Sequence, residues 1–309
     1  MKAIAGIAAL GILLGGCAYT VGDGWFFKPQ PLPTKARPAG DLKWDREERL
    51  SATGSIITIA NGYMPTLAAR LPAKVTHEIV DVGSQKIAIS RVKAANAIDG
   101  EPLIVACMGQ SGTRFNSGEY YAEKLLPWGE VLLLDYPGYG DSSGKPTVDD
   151  MMLFQQNFPA YIDGISKGRP LVMWGHSLGG PICAALAGGS RQADAVVLET
   201  TGRTFTDIMA VGKPWFTPPF VKLELDDKLK TYDIVGSLAH FNGPVMVING
   251  GKDQRLPGLT KPVADALKAQ GLHVAYIDVP QADHMNAAMN SQFAKEAWPF
   301  FQALSDTRH

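Results

Sequence analysis

The residues best suited to chemistry in this 309-residue chain are Gly175-His176-Ser177-Leu178-Gly179. A serine flanked at two positions by glycine, after an apolar run and before a helix-forming stretch, fits a sharp strand-to-helix turn that lifts its hydroxyl above a sheet. The glycines have a steric purpose. Such a turn leaves no room for side chains around the serine, whose own backbone is strained. A hydroxyl held in this way becomes a nucleophile once a base takes its proton, and the chemistry is then acyl transfer. Other chemical signals fail on inspection. Gly144-Lys145-Pro146-Thr147 is no phosphate loop, because proline interrupts the Gly-Lys-Ser/Thr pattern. No His-Glu-x-x-His or paired-cysteine spacing marks a metal, and no Gly-x-Gly-x-x-Gly follows an early strand, so neither metal nor cofactor is expected. With a formal net charge of −1 the chain lacks the basic stripe that nucleic acid requires.

The elements that must position Ser177 are legible as an alternation. Apolar runs at 103–106, 131–134, 171–174, 195–198, 245–248 and 274–279 suit strands buried on both faces, and 75–82 with 86–92 read as an opening hairpin. Helical patterns lie between them at 118–126, 148–166, 178–188, 259–269 and 286–304. Strand–helix alternation predicts an α/β, doubly wound, mostly parallel sheet of eight strands with helices on both faces. Residues 203–240 break the rhythm, with no clear strand and an aromatic, proline-rich stretch containing Trp215, Phe216 and Phe220. They are expected to form a short cap over the carboxyl ends of the strands, where open α/β sheets bind ligands.

Placed in this frame, the chain resembles an α/β-hydrolase over roughly residues 75–304. Leu103-Ile104-Val105-Ala106-Cys107-Met108-Gly109-Gln110-Ser111-Gly112 is similar to the strand and following "HGNxG" segment of the branch that includes serine esterases, dienelactone-hydrolase-like proteins and membrane-associated depalmitoylases. Asp135-Tyr136-Pro137-Gly138-Tyr139-Gly140-Asp141-Ser142 is similar to its "DYRGYGxS" segment. The resemblance implies a catalytic triad. Of six histidines, His284 follows the last predicted strand, where the family keeps its base. Asp253, on the loop after the seventh strand, gives the family order Ser…Asp…His, while Glu199, after the sixth, is the rival acid. His176 inside the turn is read as structural, and Asp135 and Asp141 as braces of their own turn. The resemblance also implies an oxyanion hole from the main-chain N–H groups of Gln110 and Leu178. Met108 departs from the family, which usually has histidine there, and this puts the bracing of the loop in question.

The N-terminus carries a separate signal. Lys2 and an apolar run to Gly16 are too short to span a hydrocarbon core about 30 Å thick, and read as an export signal over 1–16. Leu14-Gly15-Gly16-Cys17 resembles the lipobox of bacterial lipoproteins, which implies a diacylglyceryl thioether on Cys17 and a place on the bacterial membrane, the outer one facing the periplasm. Prolines 29, 31, 33 and 38 predict an extended tether over 17–40 that holds a hydrolase domain, 41–309, off the bilayer. Trp25, Phe26 and Phe27 are placed either at lipid headgroups or against the domain. Cys107 and Cys183 sit inside apolar segments, where free cysteine behaves as a small hydrophobe, and are expected to be unpaired.

The expected activity is hydrolysis of a small-molecule or lipid ester, or a thioester, by a Ser–His–Asp triad. A serine peptidase and an acyltransferase would use the same residues, and a catalytically silent binding lipoprotein would keep only the fold. A fluorophosphonate probe, which labels only an activated serine, separates the last from the others.

Overall fold

The computed structural model describes residues 18–30 and 73–306, apart from positions 96, 167 and 213–221. The export segment, Cys17, the proline-rich stretch from residue 31 onward, and Trp215, Phe216 and Phe220 lie outside the described residues. In chain order the strands are β1 (Ala18–Val21), β2 (Ala73–Val82), β3 (Gln85–Ala94), β4 (Leu103–Cys107), β5 (Glu130–Leu134), β6 (Leu171–His176), β7 (Ala193–Glu199), β8 (Lys222–Leu225), β9 (Val245–Gly250) and β10 (Val274–Val279). The helices are α1 (Asp23–Phe26), α2 (Arg114–Leu125), α3 (Val148–Ser166), α4 (Gly179–Gly189), α5 (Phe205–Gly212), α6 (Ile234–Ser237), α7 (Thr260–Ala269) and α8 (Ser291–Asp306).

Eight strands form one sheet in the order β10-β9-β7-β6-β4-β5-β3-β2. Only the β2–β3 hairpin and its junction with β5 are antiparallel. Each central strand is buried on both faces, which is why its sequence reads as an unbroken apolar run. In β4, Leu103, Val105 and Cys107 join the layer that contains α3 and α4, whereas Ile104 and Ala106 join the layer that contains α2 and α8. Strand β4 lies between β5 and β6, so successive connections leave it in opposite directions. A crevice opens at the carboxyl ends of strands at such a switch point. Here that crevice is bounded by the loop after β4 and the turn after β6, the two segments singled out in the sequence.

Three expectations are corrected. Helix α2 begins at Arg114, earlier than expected, because Thr113 caps it. The Thr113 side chain accepts from the Asn116 N–H while the Asn116 side chain accepts from the Thr113 N–H. Residues 203–240 do contain a strand: β8 pairs in parallel with β1, four residues against four. Lys-Leu-Glu-Leu is too short and polar to announce a strand alone, and it exists because the N-terminal segment supplies a partner. Cys107 and Cys183 are joined in a disulfide with a Cα–Cα distance of 5.7 Å. They are 76 residues apart, and their proximity arises only because α4 packs back across β4.

Residues 18–30 are packed into the molecule. Phe26 stacks on Phe205 with centroids 4.5 Å apart, and Phe205 stacks in turn on Tyr232 at 4.3 Å. Phe27 meets both rings edge-on. The Asp23 carboxylate accepts from the Val148 N–H at the start of α3 (2.9 Å), and the Asp226 N–H donates to the Val21 carbonyl. Phe205 is thus the centre of a stack that joins the N-terminal segment to residues 203–240. Phe205→Ala is expected to destabilise the protein by about 3–5 kcal/mol, a cost read as a lowered urea midpoint at unchanged slope.

Candidate active site

The turn after β6 has the strain its sequence implied. Ser177 adopts φ +56°, a left-handed conformation rare outside glycine. Its N–H donates to the Glu199 carbonyl (2.9 Å), and its carbonyl accepts from the Gly180 N–H (3.0 Å) and the Thr201 hydroxyl (2.6 Å). The neighbouring glycines are required by contact. A Cβ on Gly175 would lie 2.6 Å from the Gly179 carbonyl oxygen, and one on Gly179 would collide with the Cys107 carbonyl. Ser177 therefore stands between β6 and α4 at the edge of a cavity of about 440 Å³.

His284 lines the same cavity, on the loop after β10. Its Nδ1–H donates to Asp253 Oδ2 at 2.8 Å, and both side chains are buried. Asp253 is fixed in turn, since Oδ1 accepts from the N–H groups of Arg255 (2.8 Å) and Leu256 (3.0 Å). Burial pushes the Asp253 carboxyl up, but the bond from His284 and the two loop amides outweigh it and hold the group below the usual carboxylate range. With Nδ1 committed to a carboxylate, Nε2 is the imidazole nitrogen left to take a proton.

The rival acid is occupied elsewhere. Glu199 Oε2 accepts from Lys124 Nζ (2.7 Å) and from the Trp174 indole N–H (3.0 Å), while Oε1 accepts from the Ala288 N–H (3.3 Å). Both members of the Lys124–Glu199 pair are fully buried. Burial pushes the Glu199 carboxyl up, but the Lys124 ammonium overrides it and keeps the group ionised. Lys124 also lies 4.6 Å from the Tyr121 ring centroid and 4.9 Å from that of Tyr120, which helps to solvate its charge.

Gln110 and Leu178 both line the cavity, and among the described residues neither main-chain N–H has an acceptor. Leu178 precedes the first turn of α4, where N–H groups have no intrahelical partner. The loop carrying Gln110 is braced by tyrosines. Tyr136 donates to the Met108 carbonyl (3.0 Å), Tyr139 donates to the Gln110 carbonyl (2.8 Å), and the Tyr121 oxygen accepts from the Gly109 N–H (3.2 Å). Met108 itself is buried in the α2–α8 layer, so the role left vacant by a histidine is filled by hydroxyls. Two of these tyrosines lie in the Asp135–Ser142 segment quoted from the sequence, but only the fold shows where their hydroxyls reach.

His176 is structural and its proton can be placed. A carbonyl can only accept, so His176 Nε2, 2.9 Å from the His284 carbonyl, carries hydrogen. Burial pushes His176 down to about 3, with Lys124 adding to the effect, so the ring is neutral. Nδ1 then accepts from the Tyr121 hydroxyl at 2.6 Å. The result is one ordered line, from the Gly109 N–H through Tyr121 and His176 to the His284 carbonyl. Thr200 also donates to that carbonyl (2.9 Å). Asp135 accepts from the Arg114 main chain and guanidinium, and Arg114 reaches Asp141 at 2.7 Å, so these two acids brace their turn through a buried arginine.

The Lys124–Glu199 pair supports this layer from below. Lys124→Met would leave a buried carboxylate unpaired and is expected to cost about 3–5 kcal/mol in urea unfolding. Adding Glu199→Gln, which removes the unpaired charge and keeps one oxygen for either Trp174 or Ala288, should recover part of the loss. A double variant no more stable than the single one would show that the pair is not the source of the cost.

The chain is similar to several known proteins. The pattern of the Alpha/beta hydrolase family matches residues 107–235. An uncharacterized protein of Mycobacterium tuberculosis is 30% identical over 186 residues, covering 59% of this chain and 63% of that protein. Lysophosphatidylserine lipase ABHD12 of Danio rerio is 29% identical over 178 residues, covering 50% of this chain and 44% of the lipase. The chain thus spans less than two thirds of the length of either relative. Among solved structures, Est1E of Butyrivibrio proteoclasticus, bound to ferulic acid, superposes with a TM-score of 0.56 at 18% identity, over 73% of this chain and 99% of Est1E. The fold is the α/β-hydrolase fold, as the sequence pattern implied.

Proposed function

We propose that this chain is a serine hydrolase that cleaves carboxylic esters or thioesters with Ser177 as nucleophile, His284 as base and Asp253 as orienting acid. The observation that carries the reading is the pairing of a left-handed Ser177 with an Asp253-bonded His284 on one cavity. The match to a hydrolase family supports hydrolysis as the reaction class.

In this reading His284 Nε2 takes the Ser177 hydroxyl proton as Oγ attacks the acyl carbon. Asp253 keeps the imidazole in the tautomer that accepts at Nε2 and stabilises the imidazolium as it forms. The oxyanion receives the N–H groups of Gln110 and Leu178, each worth about 2.7–4 kcal/mol when aimed at developing charge. His284 then protonates the leaving group, and a water activated by the same nitrogen releases the acid and restores Ser177.

Ser177→Ala and His284→Ala should each lower kcat for p-nitrophenyl butyrate by roughly 10⁴-fold or more. Asp253→Asn should cost less, about 10²- to 10⁴-fold, while Glu199→Gln should retain activity in whatever fraction folds. A fluorophosphonate probe should label the parent protein and not the Ser177→Ala variant. Retained hydrolysis in Asp253→Asn with loss in folded Glu199→Gln would transfer the acid role to Glu199.

We further propose that Cys17 carries the acyl chains of a bacterial lipoprotein and holds the enzyme on a membrane, the outer one on its periplasmic side. The support is the sequence Leu14-Gly15-Gly16-Cys17 after a short apolar segment. Each buried methylene contributes about 0.8 kcal/mol, so two or three chains anchor where one would not. Cys17→Ser should move the protein from the membrane to the soluble fraction, and an unchanged distribution would refute the anchor.

A further inference from the structure

Residues 18–30, which follow the cysteine proposed to carry lipid, contribute Trp25, Lys28 and Gln30 to the wall of the cleft. A proline-rich tether over 19–40, extended at about 3.1 Å per residue, would give the domain roughly 70 Å of slack. Instead strand pairing begins at Ala18, the residue after Cys17, where β1 runs beside β8. Val21, Phe26 and Phe27 are buried, and Trp25 and Lys28 line the same cavity as Ser177 and His284. The Trp25 carbonyl accepts from the Gln110 side-chain amide at 2.5 Å, which ties this segment to the loop bearing one of the proposed oxyanion donors. Only six residues lie between Ala18 and Trp25. At no more than about 3.5 Å per residue, the acylated position lies within roughly 25–30 Å of the cleft.

The surface near this short path has the chemistry of a bilayer contact. Tyr19, two residues from Cys17, is 64% exposed, and an amphipathic ring of this kind sits favourably at headgroup depth. Lys28 and Arg255 are exposed at the cavity, and no carboxylate is among the described residues that line it. Phosphate headgroups provide the complementary charge.

We propose that the mouth of the cleft is docked on an anionic phospholipid surface by the lipid on Cys17, so that the enzyme draws its acyl ester from the bilayer in which it is anchored. This rests on the serine-hydrolase and lipid-anchor readings above. It adds that anchor and active site form one rigid unit, with no free linker between them.

The test inserts a flexible spacer of about 20 Gly/Ser residues between Cys17 and Ala18 of the full lipidated chain. Parent and spacer proteins are reconstituted in phosphatidylethanolamine/phosphatidylglycerol vesicles. Each is assayed on a long-chain fluorogenic ester dissolved in the bilayer and on p-nitrophenyl acetate in the surrounding water. The spacer should reduce turnover of the bilayer ester by roughly tenfold, because a tethered domain then samples many orientations and heights. Acetate hydrolysis should stay within about twofold, since residues 18–30 remain docked. Equal turnover of the bilayer ester by the two proteins would overturn the docking proposal. Absence of acetate hydrolysis in the parent protein would instead overturn the serine-hydrolase reading, and membrane retention of Cys17→Ser would overturn the anchor.

Discussion

The site depends on how closely helix α4 approaches the end of strand β4. Gly179 faces the Cys107 and Met108 carbonyls with no space for a side chain, and Gly175 faces the first turn of α4 in the same way. This approach forces the chain through a turn so tight that Ser177 must take a left-handed φ. It also brings Leu178, just before α4, and Gln110, just beyond β4, to the same cavity. One steric constraint therefore fixes both the Ser177 turn and the start of α4. The strain is carried by surrounding bonds, from Glu199, Gly180 and Thr201 to the Ser177 main chain.

Beneath that constraint lies a layer of polar groups whose hydrogens have a single consistent assignment. Tyr121 accepts from one loop and donates to His176, and His176 donates to the other loop. Burial, with Lys124 adding to it, keeps the His176 ring neutral, so Nδ1 is free to accept from the Tyr121 hydroxyl while Nε2–H donates to the His284 carbonyl. The Lys124–Glu199 pair adjoins this line at the Tyr121 ring, and its carboxylate holds the indole of Trp174 and the amide of Ala288. Fully satisfied buried networks of this type rigidify a site, whereas partly satisfied ones destabilise it.

The alternation of strands and helices was legible because the central strands are buried on both faces, so each reads as an apolar run in a chain otherwise punctuated by glycine and proline. Ser177 was legible because its turn demands glycine at fixed offsets. His284 and Asp253 were reached through resemblance, and the structure brings their side chains together while giving Glu199 different partners. The rest was hidden for a common reason: it depends on contacts between distant residues. Nothing local in Lys222–Leu225 predicts a strand whose partner is Ala18–Val21, and nothing local in Cys107 or Cys183 states that 76 intervening residues fold to bring them together. The prolines after residue 28 suggested an extended tether, and in its described part, residues 18–30, Phe26 and Phe27 pack on Phe205 and Tyr232.

The Cys107–Cys183 bridge links the last residue of β4 to the second turn of α4, and so it spans the same approach that shapes the nucleophile turn. It acts as a covalent latch between these two elements. Such latches close and persist where thiols are oxidised, and stay open in the reducing interior of a cell.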